Sequence, residues 1–253
     1  MTDEALIAVS GITLGFGDRV ILQALDFVVK RGSIFAIMGG SGCGKSTMLR
    51  AMIGLQRPQA GTVTVAGADY WACDAARRTE IDRGFGVLFQ GGALWSAMSV
   101  GDNVALPLRL FTRLNGADID RLVRFKLALV GLADAFDLRP AELSGGMRKR
   151  AGLARALALD PEVLFLDEPS AGLDPINARR MDDLILNLRD GLGATIVMVS
   201  HELDSLLGVA DDGVFLDAAT RGAIAHGAPR ALRDTCRTPQ VMAFMHRERL
   251  PQA

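Results

Sequence analysis

The chain has 253 residues, 49% of them hydrophobic and 23% charged, and a formal net charge of -1 from 28 basic and 29 acidic side chains. This length suits one large domain, or one domain with a small insert, and buries enough surface to need no disulfide or metal staple. The even charge balance, with a pI near 6.3, gives no electrostatic reason to expect a nucleic-acid partner. No apolar run reaches the roughly 18 residues of a membrane span, and no secretory-signal pattern opens the chain. Cys43, Cys73 and Cys236 are odd in number and widely spaced, which suits a reducing cytosol and argues against a zinc site. A mean hydropathy of +0.24 is nonetheless high for a chain without a membrane segment.

Taken in order, residues 5–30 alternate apolar and polar positions, which predicts antiparallel strands. Ile34–Met38 is a continuous apolar run ending in a glycine-rich stretch, followed by a helical run over Met48–Ile53. Gly61–Ala66 alternates again, and Phe85–Phe89 runs into Gln90. Residues 91–158 lack strand-like runs and read as helical. Leu122, Val123, Phe125, Leu127, Leu129 and Val130 fall on one broad helical face, with Gly131 as a stop. Val163–Leu166 then runs into Asp167 and Glu168, Thr195–Val199 into Ser200 and His201, and Val214–Leu216 into Asp217. Beyond Gly227 the chain, with Pro229, Pro239 and Pro251, is weakly patterned.

Short continuous apolar runs mark strands buried on both faces, the sign of a mostly parallel sheet covered by helices. The expected fold is therefore α/β, with an antiparallel β subdomain at the front. Its core spans 1–90 and 159–227, a helical insert spans 91–158, and a tail spans 228–253. In open α/β sheets the ligand sits beyond the carboxyl ends of the strands. Four of the runs deliver glycines or reactive side chains to such an edge.

Gly39, Gly40, Ser41, Gly42, Cys43, Gly44, Lys45, Ser46 and Thr47 fit G-x-x-x-x-G-K-[ST] between a predicted strand and a predicted helix. That loop turns backbone N–H groups inward at a helix N-terminus and so cradles phosphates. Lys45 would reach the β- and γ-phosphates and Ser46 would ligate Mg²⁺. Cys43 stands where a small residue is more common. A helix N-terminus lowers a thiol's pKa, which would suit a redox sensor, but a small tolerated side chain is the preferred reading. Asp167 and Glu168 end a buried strand, where ionised groups need a cation or a catalytic task. Asp167 suits Mg²⁺ coordination and Glu168 a general base for an attacking water. Gln90 and His201 end strands of the same kind and suit sensing of the γ-phosphate and water, with Gln90 a further Mg²⁺ ligand. His226 and His246 read as surface residues.

Leu143-Ser144-Gly145-Gly146-Met147 precedes a helical stretch and offers a second anion-binding helix N-terminus. With this segment the chain resembles the ATP-binding cassette (ABC) ATPases to about residue 230. The order matches: aromatic Phe16, the P-loop, Gln90, the signature 143–147, the acidic strand 163–168, Ser170–Asp174 and His201. The resemblance implies a RecA-like P-loop NTPase core. It also implies two copies joined head to tail around two ATPs, with Ser144, Gly145 and Gly146 of one facing the γ-phosphate held by Lys45 of the other. Phe16 would stack on adenine and Asp174 would couple the two sites. Gly91–Arg109 would touch a membrane subunit. Leu88–Trp95, Met98–Leu108 and Ser144–Arg150 further resemble the cassettes of MCE-associated, Mla-type phospholipid transport systems. Met147 in place of the usual Gln agrees with that subgroup, whereas Gly40 replaces a common proline.

Those resemblances imply ATP and Mg²⁺ as cofactors and a peripheral position on the cytoplasmic face of the inner membrane. They also imply an integral permease and an MCE-type lipid-binding subunit as partners. Other readings remain open at this point. A small-molecule kinase has no use for the 143–147 segment or His201, and a GTPase would need Asn-Lys-x-Asp, which is absent. A non-transport ABC protein would carry tandem cassettes or long coiled coils. An importer ATPase for a polar solute such as an amino acid is the nearest alternative. The apolar stretch Gln240–Met245 places Val241, Phe244 and Met245 on one helical face, suited to packing on a second copy or on its own subunit.

Overall fold

A computed structural model describes residues 4–248; the first three residues and the last five of the tail, Pro251 among them, lie outside the described residues. The elements run β1 (Ala5–Phe16), β2 (Arg19–Lys30), β3 (Ile34–Gly39), α1 (Lys45–Met52), β4 (Ala60–Val65), β5 (Ala68–Asp69), α2 (Ala75–Arg83) and β6 (Phe85–Leu88). Next come α3 (Val100–Phe111), α4 (Gly116–Leu129), α5 (Gly145–Ala156), β7 (Val163–Asp167) and α6 (Pro175–Leu192). The chain continues with β8 (Thr195–Val199), α7 (Leu203–Val209), β9 (Asp212–Asp217), β10 (Gly222–His226), α8 (Pro229–Thr235) and α9 (Pro239–His246). These elements form two compact units, one up to residue 81 and again from 195 onward, the other over residues 82–194.

In the first unit the alternating segments form an antiparallel sheet in the order β2-β1-β4-β5. One face of each long strand is buried, as in Leu22, Leu25, Phe27 and Val29 of β2. The continuous apolar runs instead form the series β10-β9-β3-β8, in which β3 lies parallel to both neighbours and β10 antiparallel to β9. All six residues of β3 and all five of β8 are buried, which is why their sequences do not alternate. Phe27 stacks on Phe35 with ring centroids 5.1 Å apart. Each such buried apolar side chain contributes about 1.5–3 kcal/mol over an exposed one.

The tail is more ordered than its pattern suggests, since it forms α8 and α9, both begun by a proline at the first turn. Val241 and Met245 are buried, and Phe244 meets Phe215 of β9 edge-on at 5.1 Å. The apolar face of Gln240–Met245 is thus used within its own unit, not held out for a second copy.

In the second unit β6 and β7 pair in parallel, with Phe85 opposite Val163 and Leu88 opposite Leu166. Helices α3, α4, α5 and α6 begin at Ser99, Asn115, Ser144 and Asp174, each of which accepts a hydrogen bond from a backbone N–H in the first turn. Such caps are each worth about 1 kcal/mol. The apolar face expected over 122–130 is borne out at Val123, Leu127 and Val130, which are buried, but not at Phe125. Phe125 is 56% exposed, whereas Ile119, Val123, Lys126 and Leu127 face inward at helical spacing. Lys126 tolerates burial because its ammonium donates to the Asp160 carboxylate.

Candidate nucleotide site

In the first unit, β3 delivers the glycine loop. Gly39 has φ 139°, and a Cβ there would stand 2.3 Å from the Leu216 carbonyl oxygen and 2.7 Å from Cys43 Sγ. No other residue fits that turn without displacing backbone. Gly44, at φ 102°, leads directly into α1, so the first-turn amides of that helix open onto the loop. Lys45 is buried, and its Nζ donates to the carbonyl oxygens of Gly39 and Gly40, both at 2.9 Å. Its charge is therefore held over the loop by two backbone oxygens that a phosphate can replace. Ser46 and Thr47 follow in the first turn, half-buried. Ser41 and Gly42 are exposed at the tip.

Cys43 is 2% exposed, and burial pushes its thiol up, outweighing the nearby Lys45 charge that pulls the other way. This burial agrees with the reading of Cys43 as a small tolerated side chain and leaves the redox-sensor alternative, which required a lowered thiol pKa, without support. Cys43 packs as a small apolar side chain. Beside β3, β8 runs parallel with Val199 opposite Ile37, so Ser200 and His201 leave the sheet at the same end as the loop. His201 is exposed, with its Nε2 3.6 Å from the Glu202 carboxylate. Phe16 ends β1 and is 58% exposed, an aromatic face held at the rim of the antiparallel sheet.

In the second unit, β6 and β7 deliver Gln90 and the Asp167–Glu168 pair at a common end. Gln90 is exposed, Asp167 half-buried and Glu168 buried. Glu168 has φ 52° and precedes Pro169. A left-handed conformation costs an L-residue roughly 1–2 kcal/mol, and a following proline prefers its predecessor extended. A recess of about 200 Å³ gathers Gln90, Gly91, Gly145, Arg148, Lys149 and residues 171–173. Ser144 is exposed, with Oγ accepting from the Met147 N–H at 3.2 Å, and Gly145 and Gly146 form the first turn behind it. Asp174, also exposed, accepts from the N–H groups of Ile176 and Asn177 and from the Asn177 amide, which hold its carboxyl below the usual range.

Three residues that the motifs do not mark hold this unit's functional segments. Lys149 is buried, and its Nζ donates to the carbonyl oxygens of Glu168 at 2.7 Å and Ala171 at 2.6 Å. Arg155 donates to the carbonyls of Ala93 at 2.6 Å and Gly92 at 3.1 Å, just beyond Gln90. Asn103 is wholly buried; its Oδ1 accepts from the Trp95 N–H at 2.7 Å, and its Nδ2 donates to the carbonyls of Trp95 at 3.1 Å and Ser99 at 2.8 Å. Trp95 itself is left 62% exposed. In the sequence Lys149 sits between Arg148 and Arg150, and nothing in that basic run separates it from its neighbours.

A lysine-bearing glycine loop at a strand-to-helix turn, together with strand-end carboxylates, defines a P-loop nucleoside-triphosphate-binding protein. The sequence profile of the ABC transporter family matches residues 22–171. The intermembrane phospholipid transport system ATP-binding protein MlaF of Haemophilus influenzae is 41% identical over 230 residues, covering 91% of this chain and 86% of the relative. MlaF of Escherichia coli K12 is 40% identical over 240 residues, covering 95% and 88%. The probable ribonucleotide transport ATP-binding protein Mkl of Mycobacterium tuberculosis H37Rv is 39% identical over 244 residues, covering 96% and 67%. Among solved structures, the dimeric ATP-binding cassette MJ0796 in a post-hydrolysis state with ADP and Pi superposes with a TM-score of 0.79 at 27% identity, covering 87% of this chain and 97% of that one. CbiO1 of Clostridium perfringens superposes with a TM-score of 0.80 at 25% identity, covering 96% and 99%. The chain belongs to the ABC transporter family and is an ATP-hydrolysing subunit of it.

Proposed function

We propose that this chain powers phospholipid transport between membranes as the nucleotide-binding subunit of an Mla-type transporter. The observation that carries this reading is the 40% identity to the E. coli phospholipid-transport ATPase over 95% of the chain. A second reading, import of a polar solute, draws on the Mkl relative, whose name reads probable ribonucleotide transport. That alignment covers only 67% of the relative, against 86–88% of the two MlaF proteins. In the proposed complex two copies meet head to tail against an integral permease, with an MCE-type lipid-binding subunit beyond it. The assembly sits on the cytoplasmic face of the inner membrane. Among the described residues no helix is long and apolar enough to cross a membrane, so the span would come from the permease. Residues 91–158 act as the helical insert that carries the signature.

The chemistry follows from the residues described above. Lys45 exchanges its two carbonyl partners for the β- and γ-phosphate oxygens, and the loop amides of residues 39–47 bind the remainder. Phe16 offers its exposed ring to adenine. Ser46, Asp167 and Gln90 supply oxygen donors, one hydroxyl, one carboxylate and one amide, which is the set a hard divalent cation takes. These three would hold Mg²⁺, which when bound would screen the charge on the phosphates. Glu168 accepts the proton of the attacking water, and Gln90 and His201 orient that water and sense the γ-phosphate. Ser144, Gly145 and Gly146 of the second copy close over the γ-phosphate, and Asp174 links the two sites. Closure requires only that ATP bind the closed pair more tightly than the open one.

Glu168→Gln tests the base. It should bind ATP, lose about 100- to 10,000-fold in turnover, and accumulate as a dimer on size exclusion with ATP. Near-normal turnover would remove Glu168 from that role. Cargo is tested by purifying the chain with its membrane partner in detergent and identifying bound lipid by mass spectrometry. A periplasmic solute-binding protein with no lipid would favour the polar-solute reading.

A further inference from the structure

We propose that Lys149 is a positioning residue for ATP hydrolysis, holding Glu168 in its left-handed backbone conformation by binding the Glu168 carbonyl from the signature helix. The inference rests on Glu168 being the base, as proposed above.

Glu168 stands where two local rules oppose its conformation. Its φ of 52° is disfavoured for any residue with a Cβ, and the following Pro169 disfavours it again. Such a conformation persists only where the surroundings over-determine it, and it concentrates where function requires it. The Lys149 ammonium supplies that determination. It donates to the Glu168 carbonyl at 2.7 Å and to the Ala171 carbonyl at 2.6 Å, so it spans the turn that leaves β7. The N–H of Ala171 also points to the Glu168 carbonyl, but at 3.4 Å it is a weak hold. Charge-assisted donation is the stronger of the two. Lys149 is 7% exposed, so little water competes for its ammonium.

The anchor lies on α5, five positions beyond the Ser144 cap. The same helix holds the segment after Gln90, because Arg155 donates to the carbonyls of Gly92 and Ala93. A Cβ at Gly152 would stand 2.9 Å from Gly92 Cα, so helix and segment touch backbone to backbone. One rigid helix therefore fixes both the base and the Gln90 segment. A displacement of the signature end of α5 would be delivered to the Glu168 carbonyl through one side chain.

The test compares Lys149→Met, which keeps length but removes the donors, with Lys149→Gln, which keeps two N–H donors without the charge. Lys149→Met should lower kcat about 10- to 100-fold, the scale of a misplaced catalytic group, with the Kd for ATP within about 2-fold of the parent. Lys149→Gln should recover part of that loss. Should Lys149→Met fail to fold, the same kcat-against-Kd split is read on Lys149→Gln alone. Added to Glu168→Gln, Lys149→Met should lower the residual turnover no further, since the group it positions is already gone. Parent-like kcat in Lys149→Met, an equal loss of ATP affinity, or a full multiplicative loss in the double variant would each overturn the proposal. Normal turnover in Glu168→Gln would instead remove the base assignment, a distinguishable failure.

Discussion

Each of the two units buries a lysine whose ammonium is held by a pair of backbone carbonyls, and the two differ in what those carbonyls are. Lys45 donates to Gly39 and Gly40, six and five residues before it in its own loop. Lys149 donates to Glu168 and Ala171, 19 and 22 residues away on a different element. The first pair is local, and in the proposed function it is exchanged for phosphate oxygens. The second joins two elements and gives way only if the elements move. A buried ammonium is thus a ligand-binding group or a mechanical fastener according to the sequence distance of its acceptors.

The largest effect is expected on the exchangeable side. Lys45→Met should weaken ATP binding by about 100-fold, the value of losing two charge-assisted hydrogen bonds of about 1.5 kcal/mol each, as read by calorimetry. A change under about 3-fold would mean that Lys45 stays on its own carbonyls when nucleotide is bound. Gly39→Ala acts on the same loop through sterics. With a backbone oxygen 2.3 Å from the new Cβ and φ at 139°, it should cost about 1–3 kcal/mol in denaturant unfolding. The fastened side has a counterpart in Asn103, whose loss in Asn103→Ala should cost about 1–3 kcal/mol, because buried backbone groups around Trp95 lose their partners. In a Trp71→Phe background the Trp95 fluorescence should then report a looser segment; an unchanged anisotropy would contradict this.

The smallest effect lies on the exposed face of α3. Arg109 and Ser99 hydrogen-bond the Asp102 carboxylate and hold it below the usual range. A depressed folded value means the contribution is present above the unfolded value of about 3.9 and is lost as pH falls through the folded one. The Arg109 and Asp102 side chains are about half solvated, at 50% and 44% exposure, so Arg109→Ala should cost only about 0.2–0.5 kcal/mol at pH 7. The gap in Tm between parent and variant should close in acid below about pH 4. A gap that persists there would mean Arg109 acts by packing.

Much of this architecture was legible in the residue order. Continuous runs at Ile34–Met38 and Thr195–Val199 announced doubly buried parallel strands, and the alternation over 5–30 announced the antiparallel sheet. Phe125 was misplaced because a broad apolar face does not say which stripe turns inward. The structure selected the one that lets Lys126 reach Asp160. At Cys43 the helix terminus acts locally to lower the thiol's pKa, whereas burial by Gly39 and its surroundings raises it and outweighs that effect.

What the sequence determined by itself is whatever short-range chemistry dictates. That covers the glycine turn before Lys45, the helix start at Ser144, and the strand ends that carry Gln90, Glu168 and His201. Each depends on neighbours within a few residues, so a linear pattern suffices to mark it. Tertiary structure alone decided that α9 turns Val241 and Met245 into its own unit, that Glu168 adopts a left-handed backbone, and that Lys149 and Arg155 grip carbonyls up to 63 residues away. Those contacts satisfy buried charge, and a charge brought out of water by folding takes whichever carbonyl the packing places beside it.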